Sequence, residues 1–452
     1  MHVEHRSTVP ASASEAFAWH ARPGAFERLL PPWERVRLVR PHPGIAEGAE
    51  VELEVGLGPL STAWVARHTV VEPPSRFVDV QARGPFARWE HEHRFAEVSP
   101  ERSELIDRVS FELPAGPVGE LGEPFVRRKV LRMLRYRHRI TGGDLAMHAA
   151  YPGPRLTVAV SGSSGLVGRA LVAALGTGGH RVVRLVRRPA REGEIQWAPG
   201  PIAPDALAGV DAVIHLAGES IAGGRWTAAR KERIRRSRVD GTRRLAEAIA
   251  ACSPRPRTLL VASAMGIYGD RGDEPLEESA ETGEGFLAEV GRAWEAASDP
   301  ARAAGVRTVA MRFGLILSPA GGVLQRLRLP FLLGGGGRLG SGRAWMSWIG
   351  IDDVVGSIVH LLAREELEGP VNVAAPTPVQ NAEFTAVLGR VLRRPTLLTV
   401  PAGALRLLFG EMADEALLAS NRLVPGVLER SGYRFRHTDL ESALRHLLGR
   451  GG

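Results

Sequence analysis

At 452 residues the chain exceeds one ordinary domain, so we expect two or three domains with full cores. Apolar residues make up 44% and charged residues 24%, a globular balance that excludes a disordered chain. No apolar run of about 18 residues and no signal-peptide core is present, which predicts no membrane span and a cytoplasmic location. The single cysteine, Cys252, excludes internal disulfides and cysteine-rich metal sites. The net charge of +8 is spread along the chain, nearly all as arginine, so no nucleic-acid partner is predicted.

Residues 1–146 contain segments that alternate polar and apolar residues, the pattern of a sheet with one buried face. Two short helices, Ser14–Ala21 and Gly24–Leu30, are predicted between the first two strands, and a long helix is predicted over Phe125–Arg139. The predicted strands are Val3–Val9, Val36–Val39, Glu50–Val55, Ser61–Val71, Arg76–Gln81, Ala87–Glu97 and Ser103–Glu112. Residues 147–154, which include HAAYPGP, are predicted to be a linker.

The opening VPASASEAFAWHARPGAFERLLPPW and the closing RYRHRITGGDL carry a family resemblance. With the order of elements, they resemble the START-like or polyketide-cyclase superfamily over residues 1–146. The resemblance implies an α+β helix-grip domain with an apolar cavity for a small hydrophobic ligand. His91 and His93 share a strand face, but we interpret them as polar groups that line a pocket or a solvated edge, so no metal site is predicted.

A strand, a glycine turn and a helix follow one another directly after the linker. Leu156–Val160 is a continuous apolar strand, and the helix after the turn has Leu171, Val172 and Leu175 on its buried side. This context makes the glycine pattern a dinucleotide-binding fingerprint, in which backbone N–H groups and the helix dipole hold the pyrophosphate. The predicted cofactor-binding residues of the turn are Gly162, Ser163, Ser164, Gly165, Leu166, Val167 and Gly168.

The second strand, Arg181–Val186, ends at two arginines. A site that prefers NAD presents Asp or Glu here to the ribose hydroxyl, whereas this chain has Arg187 and Arg188. Two guanidinium groups suit a 2′-phosphate, so NADP(H) is the predicted cofactor. The competing interpretation is an exposed basic loop.

Further motifs follow in chain order and identify a family. The segments HLAGESIAGGRWTAARKERIRRSRVDGT, FLAEVGRAWEAA and PAGALRLLFGEMADEALLASNRLVPGVLERSGYRF resemble an epimerase-like branch of the extended short-chain dehydrogenase/reductases, the NAD-dependent epimerase/dehydratase family. The resemblance implies an α/β Rossmann fold, a doubly wound parallel sheet, over residues 155–400 and a small C-terminal helical domain of unknown function over 401–452. It also implies that Leu216, Ala217 and Gly218 line the adenosine–ribose side and that Arg238 and Arg312 lie near the cofactor. Gly350 departs from the histidine expected at its position.

The usual catalytic pair of this superfamily, Tyr-x-x-x-Lys, is absent, because no lysine follows Lys231. Ala264 also stands where the catalytic serine is expected. Tyr268 and Ser263 are the remaining candidates, each with a structural alternative, and Glu289 is interpreted as a helix-surface residue.

The sequence leaves three functional hypotheses. The first is an NADP(H)-dependent oxidoreductase that acts on a small, apolar molecule. The second is a cofactor-binding sensor without turnover, and the third is a lipid carrier with a degenerate Rossmann partner. No oligomeric state is predicted.

Overall fold

A computed structural model describes residues 1–40, 44–57, 60–114, 116, 119, 121–198, 202–203 and 205–451. Contacts divide the chain into two compact units, which are Met1–Gly153 with Ala173–Gly179, and Pro154–Val172 with His180–Gly452. None of the helices in the described part of the chain is both long and apolar enough to cross a membrane.

The first unit contains an antiparallel sheet of seven strands in the order β1-β7-β6-β5-β4-β3-β2, accompanied by helices. Alternate residues of its strands are buried, as the period of two requires for a sheet with one covered face. The strands are β1 His2–Val9, β2 Val36–Leu38, β3 Glu50–Leu57, β4 Leu60–Glu72, β5 Arg76–Arg83, β6 Arg88–Ser99 and β7 Arg102–Glu112. The helices are α1 Ala13–Ala21, α2 Ala25–Leu29 and α3 Glu123–Ala150.

Helix α3 is longer than the predicted helix and continues to Ala150. The predicted linker over residues 147–154 is therefore wrong for residues 147–150, which are helical. Its last turns carry Gly142 and Gly143, which lower intrinsic helix stability. Burial of Leu145 and Met147 offsets this cost. Tertiary packing therefore overrides a local helix-breaking signal.

The second unit is built around a parallel sheet in the order β10-β9-β8-β11-β12-β14-β19. Its central strands are buried except at Thr157 and Ala264, which explains their continuous apolar sequence. The strands of this sheet are β8 Thr157–Ser161, β9 Arg181–Val186, β10 Glu194–Gln196, β11 Ala212–His215, β12 Thr258–Ala264, β14 Arg307–Phe313 and β19 Gly369–Val373.

Helices and four short strand pairs complete this unit. The pairs are β13 Pro275–Leu276 with β22 Arg422–Leu423, β15 Leu315–Ser318 with β18 Trp348–Gly350, β16 Gly337–Leu339 with β21 Leu398–Val400, and β17 Trp345–Met346 with β20 Val379–Gln380. The helices are α4 Leu166–Thr177, α5 Ala228–Ala251, a 3₁₀ turn Met265–Tyr268, α6 Phe286–Ala296, α7 Asp299–Ala303, α8 Gly322–Leu332, α9 Ile351–Ala363, α10 Asn381–Leu392, α11 Ala402–Phe409, a π-helical turn Ala413–Leu418, α12 Gly426–Arg430 and α13 Leu440–Leu447. The C-terminal segment thus pairs strands with the rest of the unit through β21 and β22.

Candidate nucleotide and substrate site

The turn between β8 and α4 requires glycine at two positions. Gly162 has a φ of +67°, and a Cβ there would lie 2.8 Å from the carbonyl carbon of Leu216. A Cβ on Gly168 would lie 2.2 Å from the carbonyl oxygen of Gly162. The close approach of helix and strand therefore depends on the missing side chains, as in a dinucleotide-binding turn.

The remaining residues of this turn lie at its open side. Ser164 and Gly165 are exposed, and Ser163, Leu166 and Val167 are half-buried. The first amides of a helix have no acceptor within that helix, and their N–H groups carry partial positive charge. The beginning of α4 therefore offers backbone donors of the kind that bind a pyrophosphate.

A buried hydrogen-bonded pair fixes this turn against the next strand. Ser161 Oγ and His215 Nδ1 lie 2.7 Å apart, and Leu216 N donates to Ser161 Oγ at 3.2 Å. Both side chains are fully buried. Burial lowers the pKa of His215 to about 4, so its imidazole is neutral near pH 7.

The strand end that was predicted to line the adenosine–ribose side lies beside this turn. Leu216 and Ala217 are half-buried, Gly218 is exposed, and Arg238 lies against Gly218. The Arg238 guanidinium donates to the carbonyl oxygen of Glu219 at 2.9 Å and lies 4.9 Å from the Trp294 ring centroid. Burial lowers the pKa of Arg238 to about 10. Arg238 therefore shapes the loop that follows β11.

The two arginines after β9 differ in their surroundings. Arg188 forms two hydrogen bonds of 2.7 Å with the Glu194 carboxylate, and this pairing lowers the pKa of Glu194 to about 2. Arg187 is exposed and has no ion pair with another residue of the described ranges. Of the two, Arg187 is the more readily available to a ligand anion.

Arg312 lies in a buried network. Its guanidinium forms a bidentate pair with Glu295, with both N–O distances 2.9 Å, and donates to the Tyr268 hydroxyl at 2.8 Å. Ser263 Oγ donates to the same Glu295 carboxylate at 2.7 Å. Arg312 thus joins β12, α6 and the 3₁₀ turn from inside the fold, and its role as a cofactor neighbour stays a prediction.

The same network holds both predicted catalytic residues. Tyr268 is fully buried, and its hydroxyl donates to Asn372 Oδ1 at 2.8 Å. Burial raises the pKa of this hydroxyl, even though Arg312 opposes the shift. Ser263 is also buried, whereas Ala264, the last residue of β12, is exposed. Catalytic roles for Tyr268 and Ser263 stay predictions, and their burial weighs against them.

A pocket of about 490 Å³ opens beside the carboxyl end of β12. Four carboxylates and one guanidinium distinguish its lining, which otherwise consists largely of small and aliphatic residues. The charged lining residues are Asp270, Glu284, Asp414, Glu415 and Arg406. Ligands of open α/β sheets bind at this end of the strands, so this pocket is the candidate substrate site.

Most of these carboxylates already have partners. Glu415 accepts from the backbone nitrogens of Phe286 and Leu287 at 2.9 and 2.7 Å and so caps the beginning of α6. Asp414 pairs with Arg406, and Asp270 accepts from two backbone amides. Glu284 makes neither an ion pair nor a side-chain hydrogen bond to any residue that the structure describes.

Sequence reasoning missed this acidic lining. Its four carboxylates come from three places in the chain, at Asp270, at Glu284 and at Asp414–Glu415, and each resembles an ordinary surface residue locally. No local spacing signals such a site, because folding alone brings the C-terminal segment to the end of β12.

Three family models match the chain. The NAD dependent epimerase/dehydratase family matches residues 158–374, and a domain of unknown function matches residues 400–447. A family described as polyketide cyclase/dehydrase and lipid transport matches residues 9–136.

Curated relatives are similar to about two thirds of the chain. An epimerase family protein of Mycobacterium bovis is 47% identical over 298 residues, which cover 65% of this chain and 98% of the relative. An epimerase family protein of Bacillus subtilis is 37% identical over 301 residues, with 65% and 98% covered.

Two solved structures extend the likeness. A nucleoside-diphosphate sugar epimerase from Corynebacterium glutamicum is 36% identical, with a TM-score of 0.82, and the match covers 99% of this chain and 90% of that one. A human epimerase family protein solved with NADPH is 30% identical, with a TM-score of 0.60, and the match covers 65% of this chain and 99% of that one.

Proposed function

The chain belongs to the NAD-dependent epimerase/dehydratase family, and we propose that its second unit is an NADP(H)-dependent oxidoreductase that acts on a small, hydroxyl-bearing molecule. The observation that carries the proposal is the glycine turn, whose close packing against Leu216 and against the beginning of α4 depends on Gly162 and Gly168 having no side chains, as in a dinucleotide-binding turn. The bound nicotinamide would supply hydride transfer. The human relative solved with NADPH supports the choice of cofactor.

Arg187 and Arg188 are the residues that we propose distinguish NADP(H) from NAD(H). Both follow β9, where the ribose 2′ position lies in this fold. Arg187 would contact the 2′-phosphate directly. Arg188 would contact it either beside its ion pair with Glu194 or in place of that ion pair.

The pocket lining favours a different substrate from the apolar one that the sequence suggested. With four carboxylates and one guanidinium, the lining has a net negative charge, which repels a diphosphate and favours neutral hydroxyl groups or a cation. The substrate part that enters this pocket is therefore proposed to be neutral and hydroxyl-rich, while a hydrophobic ligand is assigned to the first unit, whose family model includes lipid transport.

Glu284 is the proposed proton carrier. It lines the pocket, is exposed, and has no charged partner in the described part of the chain. Tyr268 and Ser263 face the Arg312 network instead. Glu284→Gln should lower kcat by about 10²–10⁴-fold with little change in KM. Glu289→Gln, on the outer surface of α6, is the matched control and should leave kcat unchanged.

Calorimetric titration with NADPH and NADH tests the cofactor. NADPH should bind more tightly than NADH, and Arg187→Ala should weaken NADPH binding about tenfold, with a smaller loss for Arg188→Ala. Arg184→Ala, an exposed arginine within β9, is the control and should bind as the wild type does.

Absence of binding by either nucleotide would refute the oxidoreductase proposal. Equal binding of both nucleotides, unchanged in Arg187→Ala and Arg188→Ala, would refute the NADP(H) preference alone. A screen of hydroxyl-bearing compounds for changes in NADPH absorbance then tests turnover.

The second candidate is an NADP(H)-binding sensor without turnover. It is favoured by the complete burial of Tyr268 together with the absence of the Tyr-x-x-x-Lys pair. Tight NADPH binding with no change in its absorbance across the screen would favour this candidate over the enzyme.

A further inference from the structure

The inner face of the first unit carries a cluster of imidazoles and carboxylates on three neighbouring strands. The strand register places Asp79 of β5 opposite His91 of β6, and His93 of β6 opposite Asp107 of β7. His91 and His93 lie two residues apart, so both side chains point to the same face. Three strands therefore bring four potential metal ligands together at the middle of the sheet.

On one side of the two imidazoles lies Asp79. Its Oδ2 is 3.6 Å from His91 Nδ1 and 3.6 Å from His93 Nε2. One ligand atom from each of the three residues lies within 4.8 Å of the others. Tetrahedral bonds of about 2.0–2.2 Å separate ligand atoms by roughly 3.4 Å, so the spacing suits an ion such as zinc.

On the opposite side lies Asp107, whose carboxylate faces the second nitrogen of each ring. Its Oδ1 is 2.7 Å from His93 Nδ1 and 3.3 Å from His91 Nε2. Its Oδ2 is 2.9 Å from His138 Nε2, and His138 Nδ1 in turn lies 2.7 Å from Ser7 Oγ. Metal-binding histidines commonly direct their second nitrogen to a carboxylate, and such a carboxylate fixes which nitrogen meets the metal.

Burial sets this cluster apart from a surface charge group. His91, His93 and Asp107 are at most 5% exposed. Within the described ranges, His91 Nε2, His93 Nδ1 and Asp107 Oδ1 lack a hydrogen bond of good geometry despite their proximity. These atoms face one another on the side away from Asp79, so they are not the ligand atoms of an ion bound there; the ring nitrogens that face Asp79 are His91 Nδ1 and His93 Nε2.

Charge is balanced when a divalent ion is present. Two carboxylates offset the ion's two positive charges, and the imidazoles bind it in their neutral form. The Arg137 guanidinium interacts electrostatically with both carboxylates.

We propose that Asp79, His91 and His93 bind one divalent first-row transition-metal ion, with zinc as the reference ion, and that Asp107 positions the two imidazoles. Two imidazoles and one carboxylate leave at least one coordination position for water or a ligand oxygen. Asp79, whose side chain is 15% exposed, marks the side from which the ion enters. The proposal is independent of the nucleotide site.

The test uses the whole chain, purified without a polyhistidine tag, stripped with a chelator and dialysed. Calorimetric titration with Zn²⁺ should give one equivalent per chain, and Co²⁺ should give a visible absorption band typical of nitrogen and oxygen ligands. Asp79→Asn, His91→Gln and His93→Gln should each abolish this binding. Asp107→Asn should weaken it roughly 10–100-fold while the stoichiometry stays at one.

The matched control is His20→Gln, which changes another buried histidine of the same unit. Its ring bonds to the carbonyl oxygen of Ala16, so the control should bind one equivalent. Circular dichroism checks that each variant is folded.

A second measurement does not depend on the variants. Zn²⁺ should raise the unfolding temperature of the stripped wild-type protein, because the ion binds only the folded site. The proposal is wrong if the folded wild-type chain binds no Zn²⁺ or Co²⁺. It is also wrong if the three ligand variants bind as tightly as the wild type does.

Discussion

The inner face of the first unit and the nucleotide turn of the second unit both lie beside the middle strands of a sheet, yet they are built differently. The first uses charged and imidazole side chains on β5, β6 and β7, each of which lies close to another such side chain. The second uses backbone, and its essential residues are glycines that contribute no side chain at all.

This difference predicts which substitutions disrupt each region. A side-chain cluster is lost when one partner is removed, because the remaining buried charge is left without its counterpart. A backbone turn tolerates changes around it and is lost when an atom is added inside it. Four expected results, in decreasing size, test this contrast.

The largest effect is expected at the buried ion pair between α2 and α3 of the first unit. Arg28 donates two hydrogen bonds of 2.7 Å to Asp144, and both residues are buried. Arg28→Met should lower the free energy of unfolding by about 3–5 kcal/mol in urea titrations, since it removes this guanidinium from a buried carboxylate. The control is Arg37→Met at an exposed pair with Glu54, where no measurable loss is expected. Similar losses in both variants would contradict the prediction.

The second effect concerns pH and the buried His215. The pKa of His215 is about 4 in the folded chain and about 6.5 when unfolded, so the unfolded state binds more protons between these values. Its contribution to stability is therefore complete above about pH 6.5 and is lost as the pH falls toward 4, by up to about 3 kcal/mol. Urea titrations from pH 7 to 5 should show a weaker pH dependence in His215→Gln, while the exposed His2→Gln keeps the wild-type profile.

The third effect tests the backbone turn. Gly168→Ala adds a Cβ 2.2 Å from the Gly162 carbonyl oxygen and should weaken NADPH binding about a hundredfold, or ~2.7 kcal/mol. The control is Gly350→Ala, because a Cβ there has no neighbour within 4 Å and should leave affinity unchanged. Calorimetry measures both, and unchanged affinity in Gly168→Ala would show that the nucleotide does not use this turn.

The smallest effect separates a structural Tyr268 from a catalytic one. Tyr268→Phe leaves Asn372 Oδ1 and the Arg312 guanidinium each without one hydrogen-bond partner, which should cost about 1–3 kcal/mol of unfolding free energy. NADPH affinity should not change. Unchanged stability, together with a loss of at least a hundredfold in kcat, would instead assign Tyr268 to catalysis.

Elements with strong local patterns could be predicted from the sequence. The seven strands of the first unit and the strand–turn–helix of residues 157–177 follow from alternation, apolar runs and glycine spacing. Their boundaries could not always be predicted: α3 extends to Ala150 because tertiary burial of Leu145 and Met147 outweighs two glycines.

The candidate sites divide in the same way. The spacing of Gly162, Gly165 and Gly168 and the arginines after β9 are local, and local sequence therefore predicted a nucleotide turn with NADP(H) as its cofactor. Sequence also identified His91 and His93 as neighbours on one face, but not their partners, since Asp79 and Asp107 come from other strands.

The sequence by itself determined that an α+β domain precedes a Rossmann domain, where the glycine turn lies, and that the Tyr-x-x-x-Lys pair is absent. Each of these features depends on residues that are close along the chain. Only the tertiary structure decided that Tyr268 is buried, that the candidate substrate pocket is acidic, and that two carboxylates flank His91 and His93. The physical reason is that burial and charge pairing depend on contacts between residues far apart in sequence. Strand register and helix packing determine those contacts, and no local sequence pattern predicts them.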